Sequence, residues 1–454
     1  MARRLFGTDG VRGVAGEFLT AELTLALGRA ATARAAAAAG ERNGAGRPRV
    51  LVIRDTRASG EMLEAAVAAG IAAAGGIALL GGVLPTPAAP LLIRRYGFDL
   101  GVVLSASHNP WRDNGVKFFG ADGDKLSDAV EEQIEALLEE PRTTAPAEPG
   151  GVTQLHGTLE DYLRELHLRF RELDLHGRRI VLDCANGATY RAAPEIFRRL
   201  GAHVDVLADA PDGRNINDGC GSTHVERLAE AVTAGGHDAG FAFDGDGDRV
   251  LAVDRNGTVV DGDELIALAA LHLKRHDRLP GGGVAVTVMT NYGFHTAMAS
   301  AGIQVATTAV GDRYVLEALR ERGWALGGEQ SGHIIELGFA PSGDGIASAL
   351  LTLEALDGGD LAERHAMEKL PQTLVNVRLP DRGAVERAAA GEEMVAAVER
   401  EQEALAGRGR VLVRASGTEP LVRVMVEAPS AEEAEEVCAR LVERAQAAAV
   451  ETAL

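Results

Sequence analysis

The chain has 454 residues and a mass of 47.5 kDa, and it carries a formal net charge of −20 at pH 7. With 25% charged and 46% hydrophobic residues, it has the composition of a globular protein of about three or four domains, not of a chain that is disordered throughout. The excess of acidic residues argues against nucleic acid as the main partner, because binding a phosphate backbone requires clustered lysine and arginine.

The sequence also argues against export and against a membrane span. The first ten residues have no long apolar core of the kind found in a secretory signal. Residues 65–84 are uncharged, but they are mostly alanine and glycine, which predicts a buried helix followed by a strand instead. The three cysteines, Cys184, Cys220 and Cys438, have neither disulfide nor metal-site spacing. We therefore expect a cytoplasmic protein without membrane attachment.

Helical and strand-like segments alternate through the first 140 residues. In chain order they are a helix over 21–39, a strand over 50–55, a helix after Ser59, a strand over 100–104 and a helix over 127–140 with Ser127 as its N-cap. This alternation predicts an α/β domain. Residues 140–151 are rich in proline, threonine and glycine, which predicts a linker and a domain boundary.

Strands and helices continue to alternate beyond this linker. Further strands are predicted over 179–184, 204–208, 239–243, 284–289, 304–310, 374–379, 410–414 and 421–427. Helices are predicted over 391–404 and 431–449, the second capped by Ser430 with Glu433 three residues later. Boundaries near residues 254 and 370 then divide the chain into domains 1–150, 151–253, 254–369 and 370–454. The first three have βαβ character, and the last is a smaller α+β domain.

Three aspartates, Asp244, Asp246 and Asp248, alternate with glycines and are followed by Arg249. In an extended segment, residues two apart face the same way, so the three carboxylates can converge on one cation. Oxygen ligands favour Mg²⁺, Mn²⁺ or Ca²⁺ over zinc. An EF-hand is excluded, because the positions that need glycine and glutamate hold Arg249 and Arg255. A plain Asp/Gly turn is the alternative interpretation.

Two serines, Ser105 and Ser107, follow a predicted strand and precede His108. Neither serine has the flanking glycines of a hydrolase nucleophile elbow, which argues against acyl transfer. A serine beside a metal site suggests phosphoryl transfer instead, and an ordinary loop is the alternative. We expect His108 to be structural, because adjacent side chains usually point apart.

Two later segments are also suited to bind a ligand. Residues 327–333 are rich in glycine and lack the lysine of a P-loop; they offer Glu329 and Ser331 to sugar hydroxyls, with a tight turn as the alternative. Residues 414–423 suit a phosphate dianion or form a simple hairpin loop. The phosphate-binding candidates in this segment are Arg414, Ser416, Gly417, Thr418 and Arg423.

Five segments, taken in chain order, resemble the α-D-phosphohexomutases: 6–13, 105–110, 244–249, 327–333 and 414–420. Segments 215–217, 220–224 and 310–314, together with Gln330, resemble the bacterial phosphoglucosamine mutase branch. Phosphomannomutase/phosphoglucomutase relatives usually carry methionine in place of Gln330 and a histidine-bearing loop near Asp312, and this sequence has neither. The resemblance implies three related α/β domains with mixed sheets and a smaller C-terminal α+β domain, arranged around a central cleft to which each contributes a loop.

The resemblance also implies an activity, the interconversion of glucosamine 6-phosphate and glucosamine 1-phosphate through a 1,6-bisphosphate that also primes the enzyme. This reaction belongs to UDP-N-acetylglucosamine and cell-wall precursor synthesis. A phosphorylated Ser107 would donate the phosphoryl group, and one Mg²⁺ per subunit would be held by the phosphoserine and the three aspartates. A homodimer is the expected assembly.

The resemblance assigns roles to the remaining candidates as well. Lys117 is favoured for proton transfer at the hydroxyl, with His333 as the second choice, and Arg12 and Arg249 would stabilise phosphoryl charge. Glu329 and Ser331 would bind ring hydroxyls, and the 414–423 candidates would bind the distal phosphate.

Three alternatives stay open at this point. The first is the same chemistry on another hexose phosphate, as in a phosphoglucomutase or phosphomannomutase. The second is a Mg²⁺-dependent sugar phosphatase whose phosphoserine is lost to water, although a cleft that excludes water argues against it. The third is a sugar-phosphate sensor without catalysis, which would have no use for Ser107 beside three carboxylates.

Overall fold

The structure is a computed structural model that describes residues 5–7, 9–43, 46–139, 148–416 and 420–450. The chain divides into two compact units. The first comprises Met1–Met289 and Ile303–Arg364, and the second comprises Thr290–Gly302 and His365–Leu454. Within the described ranges, no helix is both long and apolar enough to cross a membrane.

The first sheet of the first unit has six strands. They are β1 (Val11–Val14), β2 (Arg49–Arg54), β3 (Ile77–Val83), β4 (Leu100–Leu104), β5 (Asp113–Gly120) and β6 (Gly151–Gln154), in the spatial order β1-β5-β4-β2-β3-β6. Only β5 runs antiparallel to its neighbours. The helices are α1 (Ala21–Asn43), α2 (Gly60–Ala73), α3 (Ala88–Tyr96) and α4 (Asp128–Glu139). Leu27, Val67 and Val102 belong to the core between this sheet and its helices.

The second sheet follows α5 (Thr158–Arg169). Its strands are β7 (Arg179–Asp183), β8 (His203–Leu207), β9 (Ala239–Phe243), β10 (Val250–Asp254) and β11 (Val259–Val260), in the order β11-β10-β9-β7-β8. Helix α6 (Ala192–Arg199) connects β7 to β8, and α7 (Glu226–Gly235) precedes β9. Strands β7, β8 and β9 are parallel, whereas β10 runs antiparallel to β9.

The third sheet follows α8 (Gly262–Arg275), which Asp261 and Glu264 begin with a capping box. Its strands are β12 (Gly283–Thr287), β13 (Gln304–Thr308), β14 (Leu326–Gly328) and β15 (Ile334–Glu336), in the order β13-β12-β14-β15. In chain order, α9 (Tyr292–Ser300) lies between β12 and β13, α10 (Asp312–Arg322) lies before β14, and α11 (Gly345–Leu356) follows β15.

These three sheets share one arrangement of strands. Each contains a set of four strands that we number in chain order. The first strand lies between the second and the third and is parallel to both, and the fourth strand pairs antiparallel with the third. The sets are β2, β3, β4, β5; then β7, β8, β9, β10; then β12, β13, β14, β15. The predicted relationship among three α/β domains with mixed sheets is therefore confirmed at the level of topology.

The second unit contains α9 and a fully antiparallel sheet. Its strands are β16 (Gln372–Arg378), β17 (Arg410–Ala415) and β18 (Leu421–Glu427), in the order β16-β18-β17. Its other helices are α12 (Arg382–Ala390), α13 (Glu392–Leu405) and α14 (Ala431–Val450). The Ser430 hydroxyl accepts the Glu433 backbone N–H at 3.1 Å, which confirms the predicted cap of α14. The smaller C-terminal α+β domain is thus also confirmed.

Candidate active site

The first component of the site is the serine loop, residues 105–112, which connects β4 to β5. Ser107 is buried and has a φ of 54°, in the left-handed region that is uncommon for serine. Its carbonyl oxygen accepts hydrogen bonds from Arg57 at 2.8 Å and from Asn217 at 2.9 Å. Side chains from loops that follow strands of two different sheets therefore hold the backbone at this position.

Behind the serine loop lies a buried polar cluster that the sequence did not reveal. Arg57 pairs with Asp55 at 2.8 Å, and both side chains are fully buried. The Ser105 hydroxyl donates to Asp55 at 2.6 Å and accepts the Ser107 N–H at 3.0 Å. Arg57 also donates to carbonyl groups of the loop, including that of Asn109. Because each buried charge is paired and hydrogen-bonded, the cluster fixes the loop.

The second component is the carboxylate loop, residues 244–249, which connects β9 to β10. Asp244, Asp246 and Asp248 are all buried, and each has an oxygen within 4.8 Å of the others. Asp246 and Asp248 each have a buried carboxylate oxygen without a hydrogen-bond partner. Burial, and then the charges of Asp248 and Asp246, raise the pKa of Asp244 well above its ordinary value. Such crowded carboxylates, with two oxygens unsatisfied, fit a hard divalent cation.

Ser107 contacts this carboxylate loop directly. Its hydroxyl donates to Asp244 at 2.5 Å. Gly245 permits the approach, because a Cβ there would lie 2.6 Å from the Ser107 carbonyl oxygen. Gly247 has a φ of 73°, which allows the loop to turn between the second and third aspartates. Thr86, just after β3, donates its hydroxyl to Asp246 at 2.6 Å.

Three cationic residues among the candidate site residues lie in or beside the serine loop or the carboxylate loop. The buried Lys117 Nζ lies 2.8 Å from Asp246 and 2.9 Å from Asp9. Its burial would lower the pKa of Lys117, but these two carboxylates outweigh burial and raise it. Arg249 donates its backbone N–H to Asp244 at 3.2 Å. Arg12 pairs with Asp9 and comes within 3.5 Å of the Ala106 carbonyl oxygen.

The third component is the Glu329 loop, residues 329–333, which connects β14 to β15. Glu329 accepts the Gly311 N–H at 3.1 Å, and the Ser331 side chain is exposed. Gln330 donates to Asp261 at 3.2 Å, which ties the loop to the start of α8. The structure therefore gives Gln330 a role in holding this loop.

The buried His333 points from the Glu329 loop toward the carboxylates. Its Nδ1 lies 3.6 Å from an Asp248 oxygen, and its Nε2 accepts the Gly343 N–H at 3.1 Å. Because Nε2 accepts, the geometry places the ring proton on Nδ1, facing Asp248. Ser107, Lys117, Arg12, Arg249, His333 and the three aspartates are thus brought together within the first unit.

The remaining candidates lie in the second unit. Arg414 and Arg423 are opposite one another in the register of β17 and β18, and both are partly buried. Burial, and then the charge of Arg423, lowers the pKa of Arg414. Directly opposed like charges are unfavourable, and a bound anion would relieve them. Ser416 donates its backbone N–H to Leu421 at 2.9 Å, whereas Gly417 and Thr418 lie outside the described residues.

One expectation about the site was wrong, and several residues were missed. His108 does not point away from its neighbour: its Nδ1 lies 3.3 Å from the Ser107 hydroxyl, because the left-handed backbone at Ser107 turns the two side chains together. The missed residues with direct contacts to the site are Asp9, Asp55, Arg57, Thr86 and Asp312, and Lys125 contacts two of them, Asp9 and Asp312. The rule that ligands gather at the carboxyl ends of parallel strands would have found Asp55 and Thr86, which follow β2 and β3.

Profiles of known families match almost the whole chain. The matching family is phosphoglucomutase/phosphomannomutase, with alpha/beta/alpha domain I over residues 3–145, domain II over 153–257, domain III over 261–374 and the C-terminal domain over 374–444.

Individual relatives agree with this match. The chain is 52% identical to the phosphoglucosamine mutase of Moorella thermoacetica, over 96% of this chain and 98% of that protein. A family protein from Burkholderia thailandensis has a similar structure, with a TM-score of 0.78 and 23% identity over 97% of both chains. The N-acetylphosphoglucosamine mutase of Aspergillus fumigatus, solved with GlcNAc-6P and magnesium, gives a TM-score of 0.71 at 18% identity, over 98% of this chain and 96% of that one.

Proposed function

The chain belongs to the phosphoglucomutase/phosphomannomutase family, and we propose that it acts as a phosphoglucosamine mutase, interconverting glucosamine 6-phosphate and glucosamine 1-phosphate. The relative from Moorella thermoacetica, half identical over nearly the full length, carries that name. The observation that carries the chemistry is the Ser107 hydroxyl, buried 2.5 Å from Asp244 inside a cluster of three carboxylates. A serine so placed suits phosphoryl transfer.

The reaction begins with Ser107 phosphorylated. The phosphorus–Oγ bond breaks as the free hydroxyl of the sugar monophosphate bonds to phosphorus, and that hydroxyl loses its proton to a base. The resulting 1,6-bisphosphate turns over in the site. Its other phosphoryl group then returns to the Ser107 oxygen, and the released sugar oxygen regains a proton. Atoms and charge balance over the cycle, so no co-substrate is consumed.

The carboxylates and nearby cations would stabilise this transfer. Asp244, Asp246 and Asp248, with an oxygen on phosphorylated Ser107, would hold Mg²⁺, which offsets the negative charge of the phosphoryl group and the carboxylates. Arg12 places its guanidinium near the serine loop, and the Arg249 Nε lies 3.9 Å from an Asp248 oxygen of the carboxylate loop. Lys117 and His333 are the two candidates for carrying the proton, since each contacts the carboxylate loop from a different side.

The substrate itself would be bound by the outer loops. Glu329 and Ser331 would hydrogen-bond ring hydroxyls in both orientations of the intermediate. The distal phosphate would be bound by Arg414, Ser416, Gly417, Thr418 and Arg423. The opposed guanidiniums of Arg414 and Arg423 support this assignment, because an anion between them lowers their mutual repulsion. A homodimer, a cytoplasmic site of action and the domain boundaries at 150, 253 and 369 complete the proposal.

The proposal is tested by following the purified protein with ³¹P NMR. It is supplied with Mg²⁺ and a hexose 1,6-bisphosphate primer, and glucosamine 6-phosphate and glucose 1-phosphate are offered in parallel. A strong preference for the amino sugar is expected. A preference for glucose or mannose phosphates would keep the mechanism and reject the substrate, whereas release of free phosphate without isomer would make the protein a phosphatase.

The Ser107→Ala variant supplies the matched control for the mechanism. It removes one buried oxygen and should leave the fold intact, as judged by circular dichroism. Turnover should be abolished, and no phosphate should be found on the protein by intact-mass measurement after incubation with the bisphosphate. Mutase activity close to wild type in this variant would refute the phosphoserine mechanism.

A further inference from the structure

Three charged residues that the proposed mechanism does not use form a chain beside the site. The Lys125 Nζ lies 2.5 Å from an oxygen of Asp9 and 2.5 Å from an oxygen of Asp312. Only 16% of the Lys125 side chain and 19% of each aspartate side chain is exposed. An ammonium group shielded from water in this way is stabilised by the two carboxylates, so its position is set by them.

Each of the two aspartates also lies close to a candidate proton carrier. The second oxygen of Asp9 lies 2.9 Å from the Lys117 Nζ. The Asp312 oxygen that contacts Lys125 also lies 3.7 Å from the Nε2 of His333. Lys125 is therefore the midpoint of a bridge between the two side chains that reach the carboxylate loop from different sides.

The bridge closes into a ring on the carboxylate loop. The Lys117 Nζ lies 4.0 Å from the Asp248 oxygen that the His333 Nδ1 approaches at 3.6 Å. Around this ring, carboxylates alternate with basic groups. The alternation means that displacing one member changes the attraction felt by its neighbours, so the ring acts as a unit.

The ring joins segments that are far apart in the sequence. Asp9 precedes β1, Lys125 follows β5, and Asp312 is the first residue of α10. A second contact joins the last two segments independently of the ring, since Arg320 of α10 pairs with Asp124 at 2.5 Å. Removing this pair tests whether a loss of activity comes from weaker attachment of α10, whereas removing Lys125 also changes the orientation of the site residues.

We propose that Lys125 is a positioning residue for the mutase reaction: by bridging Asp9 and Asp312, it orients Lys117 and His333 together for proton transfer at the sugar hydroxyl. The inference rests on the proposed function. Without the Lys125 ammonium, Asp9 would be drawn toward Lys117 and Arg12, and Asp312 would lose the cation that holds its carboxylate beside the unprotonated Nε2 of His333. Both candidate proton carriers would then shift relative to the carboxylates that they contact.

The test compares Lys125→Met with Arg320→Met in the full-length enzyme. Lys125→Met nearly keeps the length of the side chain and removes its charge. Arg320→Met removes the contact of α10 with Asp124, while the contacts of Arg313 with Leu126 and Glu131 remain. We expect kcat for glucosamine 6-phosphate to fall about tenfold or more in Lys125→Met, with KM changed less than about threefold, because misoriented proton transfer affects the chemical step. Arg320→Met should retain kcat within about twofold.

A double-variant cycle shows whether Lys125 acts through Lys117. Adding Lys125→Met to a Lys117→Met enzyme should lower kcat by a smaller factor than Lys125→Met does in the wild-type enzyme, because Lys117, one of the two oriented groups, is already absent and only the effect through His333 is left. The proposal would be overturned if the factors by which the two single variants lower kcat simply multiply in the double variant. An unchanged kcat in Lys125→Met, or an equal loss of kcat in Arg320→Met, would also overturn it. Should Lys125→Met fail to fold, Asp312→Asn keeps the side-chain shape and must show the same selective loss of kcat. A wild-type protein without mutase activity would instead refute the proposed function itself.

Discussion

Substituting Asn217 measures how much its hydrogen bonds to the serine loop contribute to catalysis. Its side chain comes from the second sheet's segment and donates to the carbonyl oxygens of Ser107 at 2.9 Å and Asn109 at 3.1 Å. Its φ is 58°, so alanine would add backbone strain, whereas glycine adopts this conformation freely. Asn217→Gly therefore removes the two hydrogen bonds without straining the backbone.

The size of the effect follows from what remains in the variant. A net hydrogen bond contributes about 0.5–1.5 kcal/mol, so two give about 1–3 kcal/mol. Arg57 still donates to both carbonyl groups at 2.8 Å, which leaves neither oxygen unsatisfied and favours the lower half of that range. If the loss falls on the alignment of Ser107, kcat should drop about tenfold, since about 1.4 kcal/mol corresponds to that factor.

Steady-state kinetics with glucosamine 6-phosphate test this value. KM should stay within about twofold of wild type, because Asn217 contacts the serine loop and not the proposed sugar-binding groups. Asn215→Ala is the matched control: its side chain contacts Ala210 and Asp212 in its own loop. A kcat within about twofold of wild type in Asn217→Gly, or an equal loss in Asn215→Ala, would refute the argument.

Three further predictions concern stability, the metal and the phosphate. Burial raises the pKa of Asp344 to about 6 from 3.8, so its contribution to stability is full below about pH 4 and is lost as the pH rises through 6. Asp344→Asn, which still accepts from Ala347, should therefore raise the unfolding free energy at pH 7 by up to about 3 kcal/mol; an unchanged urea midpoint at pH 7 would contradict this. Removing divalent cations with EDTA should abolish turnover, and Asp246→Asn should raise the Mg²⁺ concentration needed for half-maximal activity by about tenfold or more; full activity in EDTA would exclude the metal site. Arg414→Ala should raise KM for sugar monophosphates about tenfold while changing Mg²⁺ dependence little, and an unchanged KM would place the distal phosphate elsewhere.

Several strands that flank the site loops were predicted from the sequence with their correct bounds. Predicted strands over 100–104, 239–243 and 421–427 match β4, β9 and β18 residue for residue. The first two are short apolar runs bounded by polar residues, and the third is rich in valine although it includes Arg423 and Glu427. The stretch over 65–84 is confirmed as the end of α2 followed by β3. Strand β5 was not predicted, although it carries Lys117.

The long-range polar contacts could not be predicted in the same way. Asp9, Lys125 and Asp312 lie more than 100 residues apart from one to the next and belong to no common periodic pattern. A local pattern reports which face of a helix or strand is buried, but a charged residue in a loop gives no such signal until the fold brings its partner close. The motifs over 6–13 and 310–314 indicated that these loops matter, without indicating that Lys125 joins them.

The repeated strand arrangement explains why three unrelated-looking motifs meet in one site. The serine loop, the carboxylate loop and the Glu329 loop each connect the third strand of the motif to the antiparallel fourth: β4 to β5, β9 to β10 and β14 to β15. In every case the fourth strand is paired with the third, so both ends of the loop are fixed by the same ladder. A loop closed in this way loses little further entropy when it is ordered, and small side chains and glycines within it can then take uncommon backbone conformations. The proposed nucleophile, the candidate metal ligands and the proposed sugar-binding carboxylate thus lie at the same structural position in three domains, within loops of five to eight residues.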